Sequence, residues 1–254
     1  MTKQRYCMSI AYDGTAYAGW QVQPRHTTVQ GELERVLHEL SGGKVRVESS
    51  GRTDSGVHAR EQVAHFDLPE NSFRPDKLLI GMNALLEPDI RVLAVRPASP
   101  DFHARFSAKG KEYRYYIINK KVITPFQRLY RTGIREPLDV SAMQQAAAHL
   151  QGRHDFAAFA ANPNRELDGT VRNLFRLTVS QKGSEILIRA AADGFLYKMV
   201  RSLAGFLIRI GRAELPPEAA RTILESKLRT ARVPTAPPEG LFLWRVYYNK
   251  APHS

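Results

Sequence analysis

The densest chemistry in the sequence lies in one short run, Gly51-Arg52-Thr53-Asp54-Ser55-Gly56-Val57-His58-Ala59-Arg60. A single carboxylate, Asp54, stands between two glycines, which permit a tight backbone and close approach of a ligand. Arg52 lies two residues earlier, so its guanidinium can hold that carboxylate ionised and oriented. Asp-Ser-Gly alone is an ordinary turn signal. A lone ionised aspartate cannot run paired-carboxylate catalysis, but it can act as a nucleophile or as a base. Paired with His58 as acid, it would instead suit a phosphodiesterase.

Other chemistries find little support. Cys7 is the only cysteine, which excludes an internal disulfide and a cysteine-based zinc site. No two histidines sit four apart on a predicted helix, although His58 and His65 could meet across a turn. No metal site is expected. Gly-rich phosphate cradles and the Gly-x-Ser-x-Gly nucleophile elbow are both missing from the sequence.

The loop needs strands to hold it. Tyr6–Tyr12 alternates like a half-buried strand. Val29, Leu33, Val36, Leu37 and Leu40 fall at helical spacing behind a Thr27/Gln30 capping-box pattern. Lys44–Glu48 and Gln62–Leu68 read as short strands around the turn-rich stretch Ser49–His58, the scaffold position where catalytic groups often sit. Asp76–Leu86 is helical after Pro75, and Ile90–Arg96 is a strand ended by Pro97. The order is β-α-β-β-α-β. It recurs from residue 111, with a strand at Tyr113–Ile118 and a helix at Val140–Leu150. A hairpin of Val171–Ser180 and Glu185–Ala191 follows, then helices Lys198–Ile210 and Pro217–Lys227. A Pro-rich loop at Thr230–Gly240 leads to a last strand, Leu241–Tyr248.

The expected fold is α+β: two successive ferredoxin-like or RRM-like split β-α-β halves, 1–107 and 108–254, with mostly antiparallel sheets joined around a central cleft. At 254 residues, 43 % hydrophobic and 24 % charged, the chain can bury a core without staples. No apolar run approaches the roughly 18–20 residues that span a bilayer, and no signal peptide opens the chain, so a cytoplasmic location is expected.

Net charge is +12, which suggests a polyanionic partner. Residues 1–107 hold 13 basic and 13 acidic side chains, whereas 108–254 hold 24 and 12. All the excess lies in the second half. A non-catalytic RNA-binding module is one reading of this. Against it, RNP-type aromatic signatures are missing, and the densest motif centres on an anionic side chain that repels phosphate.

Several motifs together resemble the tRNA pseudouridine synthase A family. They are Tyr12-Asp13-Gly14 with Tyr17, Gly19-Trp20-Gln21, Thr28-Val29-Gln30, the 51–59 run with Gln62 and His65-Phe66, Phe102-His103-Ala104-Arg105-Phe106, Glu112-Tyr113-Arg114-Tyr115, Gly152-Arg153-His154-Asp155-Phe156, Gly194-Phe195-Leu196, Met199-Val200-Arg201, Ala236-Pro237 and Gly240-Leu241. They span nearly the whole chain. Departures are small: Ala213 stands where many members carry glycine, and Lys109-Gly110-Lys111 varies the segment before Glu112.

The resemblance implies isomerisation of uridine to pseudouridine at positions 38, 39 and 40 of the tRNA anticodon arm, without cofactor or metal, by a homodimer. Asp54 matches the family's essential aspartate, which attacks either ribose C1′ or uracil C6. Arg52 matches the motif arginine that fills the gap left by the flipped-out base. Tyr113 matches the tyrosine that stacks on the target base, Arg201 the arginine that pairs with the aspartate, and Leu241 a residue packing against uracil.

Overall fold

The computed structural model describes residues 2–161 and 169–249. Strand alternation is realised at once in β1 (Lys3–Tyr12), where Met8, Ile10 and Tyr12 point inward and are buried. Helix α1 (Val29–Ser41) buries Leu33, Val36 and Leu37 on one face. Its N-cap is Thr28, whose hydroxyl accepts from the Gly31 N–H at 3.2 Å, so the Thr27/Gln30 capping box is corrected. Gln30 is buried and does different work, accepting from the Val22 N–H at 3.0 Å and donating to the Val47 carbonyl at 3.0 Å.

That arrangement explains why the strand expected at Lys44–Glu48 is mostly not one. The Val47 N–H donates to the Glu34 carboxylate at 3.0 Å, and its carbonyl is taken by Gln30. Side chains have replaced the ladder, and only β2 (Glu48–Ser49) pairs, opposite His65 and Ala64. The next strand, β3 (His58–Pro69), starts four residues before the expected Gln62 and runs antiparallel to β1. After α2 (Pro75–Leu85), β4 (Ile90–Ala98) continues through Pro97, which lies opposite Tyr6. Proline is tolerated there because β4 ends the strand order and has β1 on one side only.

The chain falls into two compact units. The first comprises residues 1–109 with Leu243–Tyr248, and the second Gly110–Phe242 with Asn249 onward. The last strand, expected in the 108–254 half, thus belongs largely with the first unit. There the order is β4-β1-β3 followed by β10 (Leu241–Tyr247). The second unit is built on β5 (Gly110–Asn119), β9 (Glu185–Ala192), β8 (Val171–Lys182) and β7 (Gly152–Asp155), in that order. The short β6 (Thr132–Ile134) runs parallel to β5, while β5 with β9, β9 with β8 and β8 with β7 pair antiparallel.

Helix α3 (Val140–Leu150) is capped by the Asp139 carboxylate at 2.9 Å from the Ala142 N–H. In α4 (Met199–Gly211) nearly every side chain is buried, and α5 (Ala219–Ser226) is shorter than the apolar pattern suggests. That pattern places Lys198 and Lys227 inside helices. Both instead adopt left-handed backbone, at φ 58° and 53°, and so mark the start of one helix and the end of the other. The fold class is α+β with largely antiparallel strands.

Candidate active site

The Asp54 loop links β2 to β3 and has no regular structure of its own, so its shape depends on what ties its backbone. Ser50 is fully buried; its N–H donates to the Val63 carbonyl at 2.8 Å and its hydroxyl pairs with Gln62 Oε1 at 2.6 Å. Gln62 Nε2 in turn donates to the Gly51 carbonyl at 2.8 Å. Further along, Thr53 is clamped twice, by the Trp20 N–H on its carbonyl at 3.0 Å and by the Tyr12 hydroxyl on its own hydroxyl at 2.8 Å. Burial pushes the Tyr12 phenol up to about 12, so that contact is between neutral groups. The Ser55 hydroxyl and the Gly56 N–H both donate to the Tyr17 carbonyl, at 3.2 and 3.4 Å.

Two glycines on the facing segment permit this closeness. A Cβ on Gly14 would fall on the Val57 carbonyl oxygen, and one on Gly19, at φ 93°, would lie 2.6 Å from the Thr53 carbonyl oxygen. Of the glycines within the loop, Gly56 uses left-handed backbone at φ 76°. Asp54 emerges half-buried from this frame, and its own carbonyl accepts the Val57 N–H at 3.1 Å.

Arg52 is exposed and makes no ion pair among the described residues, so the expected clamp of its guanidinium on Asp54 is not formed. His58 is buried, with Nδ1 at 3.0 Å from the Gly14 nitrogen and 3.1 Å from the Asp13 carboxylate. It is a frame residue, and the phosphodiesterase pairing loses its acid.

In the second unit, Tyr113 is buried on β5 and meets Phe195 edge-on, ring centroids 5.1 Å apart. Arg201 sits in the first turn of α4 among buried Met199, Val200 and Leu203. Its Nε–H donates to the Ala236 carbonyl at 2.8 Å, while the Ala236 N–H donates to the Arg201 carbonyl at 2.9 Å. This reciprocal pair fixes the plane of the guanidinium and ties the Pro-rich loop to the helix. Leu241 is buried behind Gly240, where a Cβ would come within 2.7 Å of the Tyr116 carbonyl oxygen. Beside it, the fully buried Tyr115 hydroxyl reaches Thr132 Oγ1 at 2.7 Å and the Pro237 carbonyl at 2.9 Å, and Thr132 reaches Glu239 at 3.0 Å.

A family model described as tRNA pseudouridine synthase matches residues 8–107 and 146–249. The tRNA pseudouridine synthase A of Geobacillus kaustophilus is 45 % identical over 249 residues, covering 98 % of this chain and 95 % of its own length. That of Moorella thermoacetica is 46 % identical over 245 residues, covering 95 % and 98 %. The Chlamydia trachomatis serovar A protein of the same name is 43 % identical over 250 residues, covering 98 % and 93 %. The chain belongs to the tRNA pseudouridine synthase family. It is an isomerase of that family, and no helix among its described residues is long and apolar enough to cross a membrane.

In this synthase the frame of the loop is largely illegible in the sequence. Tyr12, Tyr17, Trp20 and Gln62 stand in the matched motifs, yet nothing in their spacing says that each ends on a backbone carbonyl or hydroxyl between 50 and 57. The available signal is two-fold: polar residues on a strand face otherwise buried, and glycines at positions 14 and 19. His65 meets His103 and Glu48 rather than His58, their ligand-type atoms all lying within 4.8 Å of one another. In both imidazoles Nδ1 accepts a backbone N–H, from Ala104 at 3.2 Å and from Arg105 at 3.1 Å. With Nδ1 of each ring turned to a backbone N–H, only Nε2 faces the cluster, and that of His103 lies 3.2 Å from the Glu48 carboxylate.

Proposed function

We infer that this synthase converts uridine to pseudouridine at positions 38, 39 and 40 of the tRNA anticodon arm, with Asp54 as nucleophile on a flipped-out uridine. The observation that carries this reading is the Asp54 loop: one half-buried carboxylate on a backbone fixed from Ser50 to Gly56, beside an exposed arginine with no ion pair of its own among the described residues.

The reaction is redox-neutral. The Asp54 carboxylate attacks at C1′ or at C6, the N1–C1′ bond breaks, the base rotates, and C5 bonds to C1′. C5 loses its proton, N1 gains one, and the carboxylate is released. No oxidant, reductant or group donor is consumed, so the balance asks for no cofactor. A fixed backbone suits this sequence, because the same oxygen must stay within bonding reach while the base turns.

Each remaining site residue has a part consistent with its setting. Arg52, exposed next to the nucleophile, occupies the space that the flipped base leaves. Tyr113 stacks on the base and Leu241 packs against it. Arg201, its plane set by Ala236, pairs with the Asp54 carboxylate. The basic second half gathers phosphates, and the working form is a homodimer in the cytoplasm.

Incubating pure protein with unmodified tRNA transcript, then mapping carbodiimide adducts that survive alkali, tests reaction and position together. Adducts at 38–40 with unchanged RNA length are expected. Adducts elsewhere would overturn the positional assignment, and shortened RNA would overturn the chemistry.

A further inference from the structure

A second feature of the first unit has no part in the chemistry above. Between β4 and β5 the chain turns through Phe102-His103-Ala104-Arg105-Phe106-Ser107, and this turn is unusually well tied. The Arg105 and Phe106 N–H groups both lie within hydrogen-bond reach of His103 Nδ1, at 3.1 and 3.4 Å. The His103 N–H donates to the Ser107 hydroxyl at 3.0 Å, and the Ser107 N–H returns to the His103 carbonyl at 2.9 Å. Ala104 is fully buried. Its N–H is held by His65 and its carbonyl by the Tyr248 hydroxyl at 2.7 Å.

On this rigid turn the Phe106 ring is 73 % exposed. It is also the outermost rung of a ladder of rings. Tyr248 meets Phe102 at 5.2 Å, Phe102 meets His65 at 6.2 Å, His65 meets His103 at 4.7 Å, and His103 meets Phe106 at 4.4 Å. Phe106 stands at the end of this run, with His103 on its inner side and most of its surface exposed. The Arg105 guanidinium lies 5.6 Å from the Phe106 centroid, and Glu48, held to His103 at 3.2 Å, is the nearby acid. A lone exposed phenylalanine needs no explanation. One carried on a tied turn at the exposed end of a run of tilted and edge-on rings, with an arginine over it, is built like a platform for a further ring.

We propose that Phe106 is a platform on which an unpaired nucleobase of the RNA substrate stacks, with Arg105 beside it for the adjoining phosphate. The occupant is a base because the turn offers a π-face and a cation, and the family's substrate is a polyanion carrying exposed rings. The inference rests on the tRNA reading given above and adds a contact that the reaction itself does not require.

The test measures affinity for an unmodified tRNA transcript in the parent and in Phe106→Ala, Phe106→Leu and Phe106→Trp. Base stacking on an aromatic is worth enough that Phe106→Ala is expected to weaken binding roughly ten-fold. Its melting temperature should match the parent, since little is buried. Phe106→Leu should bind as poorly as alanine, and Phe106→Trp should bind like the parent, its added indole emission quenched by the transcript. Parent-like affinity in Phe106→Ala, full rescue by leucine, or dissociation of a dimer by Phe106→Ala would each overturn the platform. A parent that does not bind the transcript removes the tRNA reading itself, and the platform with it.

Discussion

The Asp54 loop and the start of α4 are held in place by opposite means. Around Asp54 the chain has no helix or strand, and its shape depends on individual hydrogen bonds with Trp20, Tyr12, Gln62 and the Tyr17 carbonyl and on two glycines that admit a facing backbone. Around Arg201 a regular helix with buried Met199, Val200, Leu203, Phe206 and Leu207 sets the position, and one reciprocal contact with Ala236 aims the side chain. A loop of the first kind can be disturbed locally by one polar or steric change. A helix of the second kind resists that, so changes at Arg201 should report on chemistry rather than on folding.

The largest effect tests the loop's chemical role. Asp54→Ala should abolish turnover and leave tRNA affinity within a few-fold, because it removes the proposed nucleophile while an anionic side chain offers phosphate no attraction to lose. Pseudouridine formed by the pure variant would remove the nucleophile assignment. Next comes the helix side. Arg201→Lys loses both the planar fork and the Nε–H donated to Ala236, so the proposed pairing with Asp54 loses its fixed geometry. Turnover should fall by roughly a hundred-fold or more while the melting temperature moves little; a near-normal rate would refute the pairing.

A third variant breaks the loop without touching its chemistry. Gly14→Ala drives a Cβ onto the Val57 carbonyl, so the loop must shift at a cost of about 1–3 kcal/mol. Turnover should drop by ten-fold or more with tRNA affinity retained. An equally active, equally stable variant would show that the fit of the frame is unimportant. The smallest effect concerns the basic half. Lys120→Ala/Lys121→Ala should lower the salt slope of tRNA binding by roughly 0.7–0.9 for each phosphate left unneutralised. Arg128→Ala/Arg131→Ala should change it less, because Arg131 is already paired with Glu185 at 2.7 Å and lies over the Tyr116 ring. Slopes equal to the parent in both variants would put the RNA on another surface.

The difference between the two regions also decides what the sequence can tell. Helix α3 runs over Val140–Leu150 as its apolar spacing predicts, and the β8–β9 hairpin turns over Gly183, because period and turn residues are local signals. Strands β6 and β7 give no such signal: with three and four residues they are too short to show a period. At Lys44–Glu48 the alternation is real, but the side chains of Glu34 and Gln30 take the Val47 backbone groups that a ladder would have used. In the site, Asp54 stands out because a carboxylate between glycines is locally unusual. The four residues that hold its loop do not, since each acts on backbone or side chains up to about forty positions away.

Strand β10 carries a consequence for how the molecule comes into being. Leu243–Tyr248 completes the first unit, where the Lys109 N–H donates to the Tyr247 carbonyl at 2.7 Å and the Arg60 guanidinium lies 4.3 Å over the Trp244 ring. On the ribosome those six residues are made after everything between Gly110 and Phe242. Until they emerge, β3 has β1 along one edge and only the two-residue β2 along the other. An open edge of that kind invites pairing with other chains. The part of the protein that is synthesised first is therefore the part whose sheet closes last, and the Asp54 loop, which leads directly into β3, waits with it.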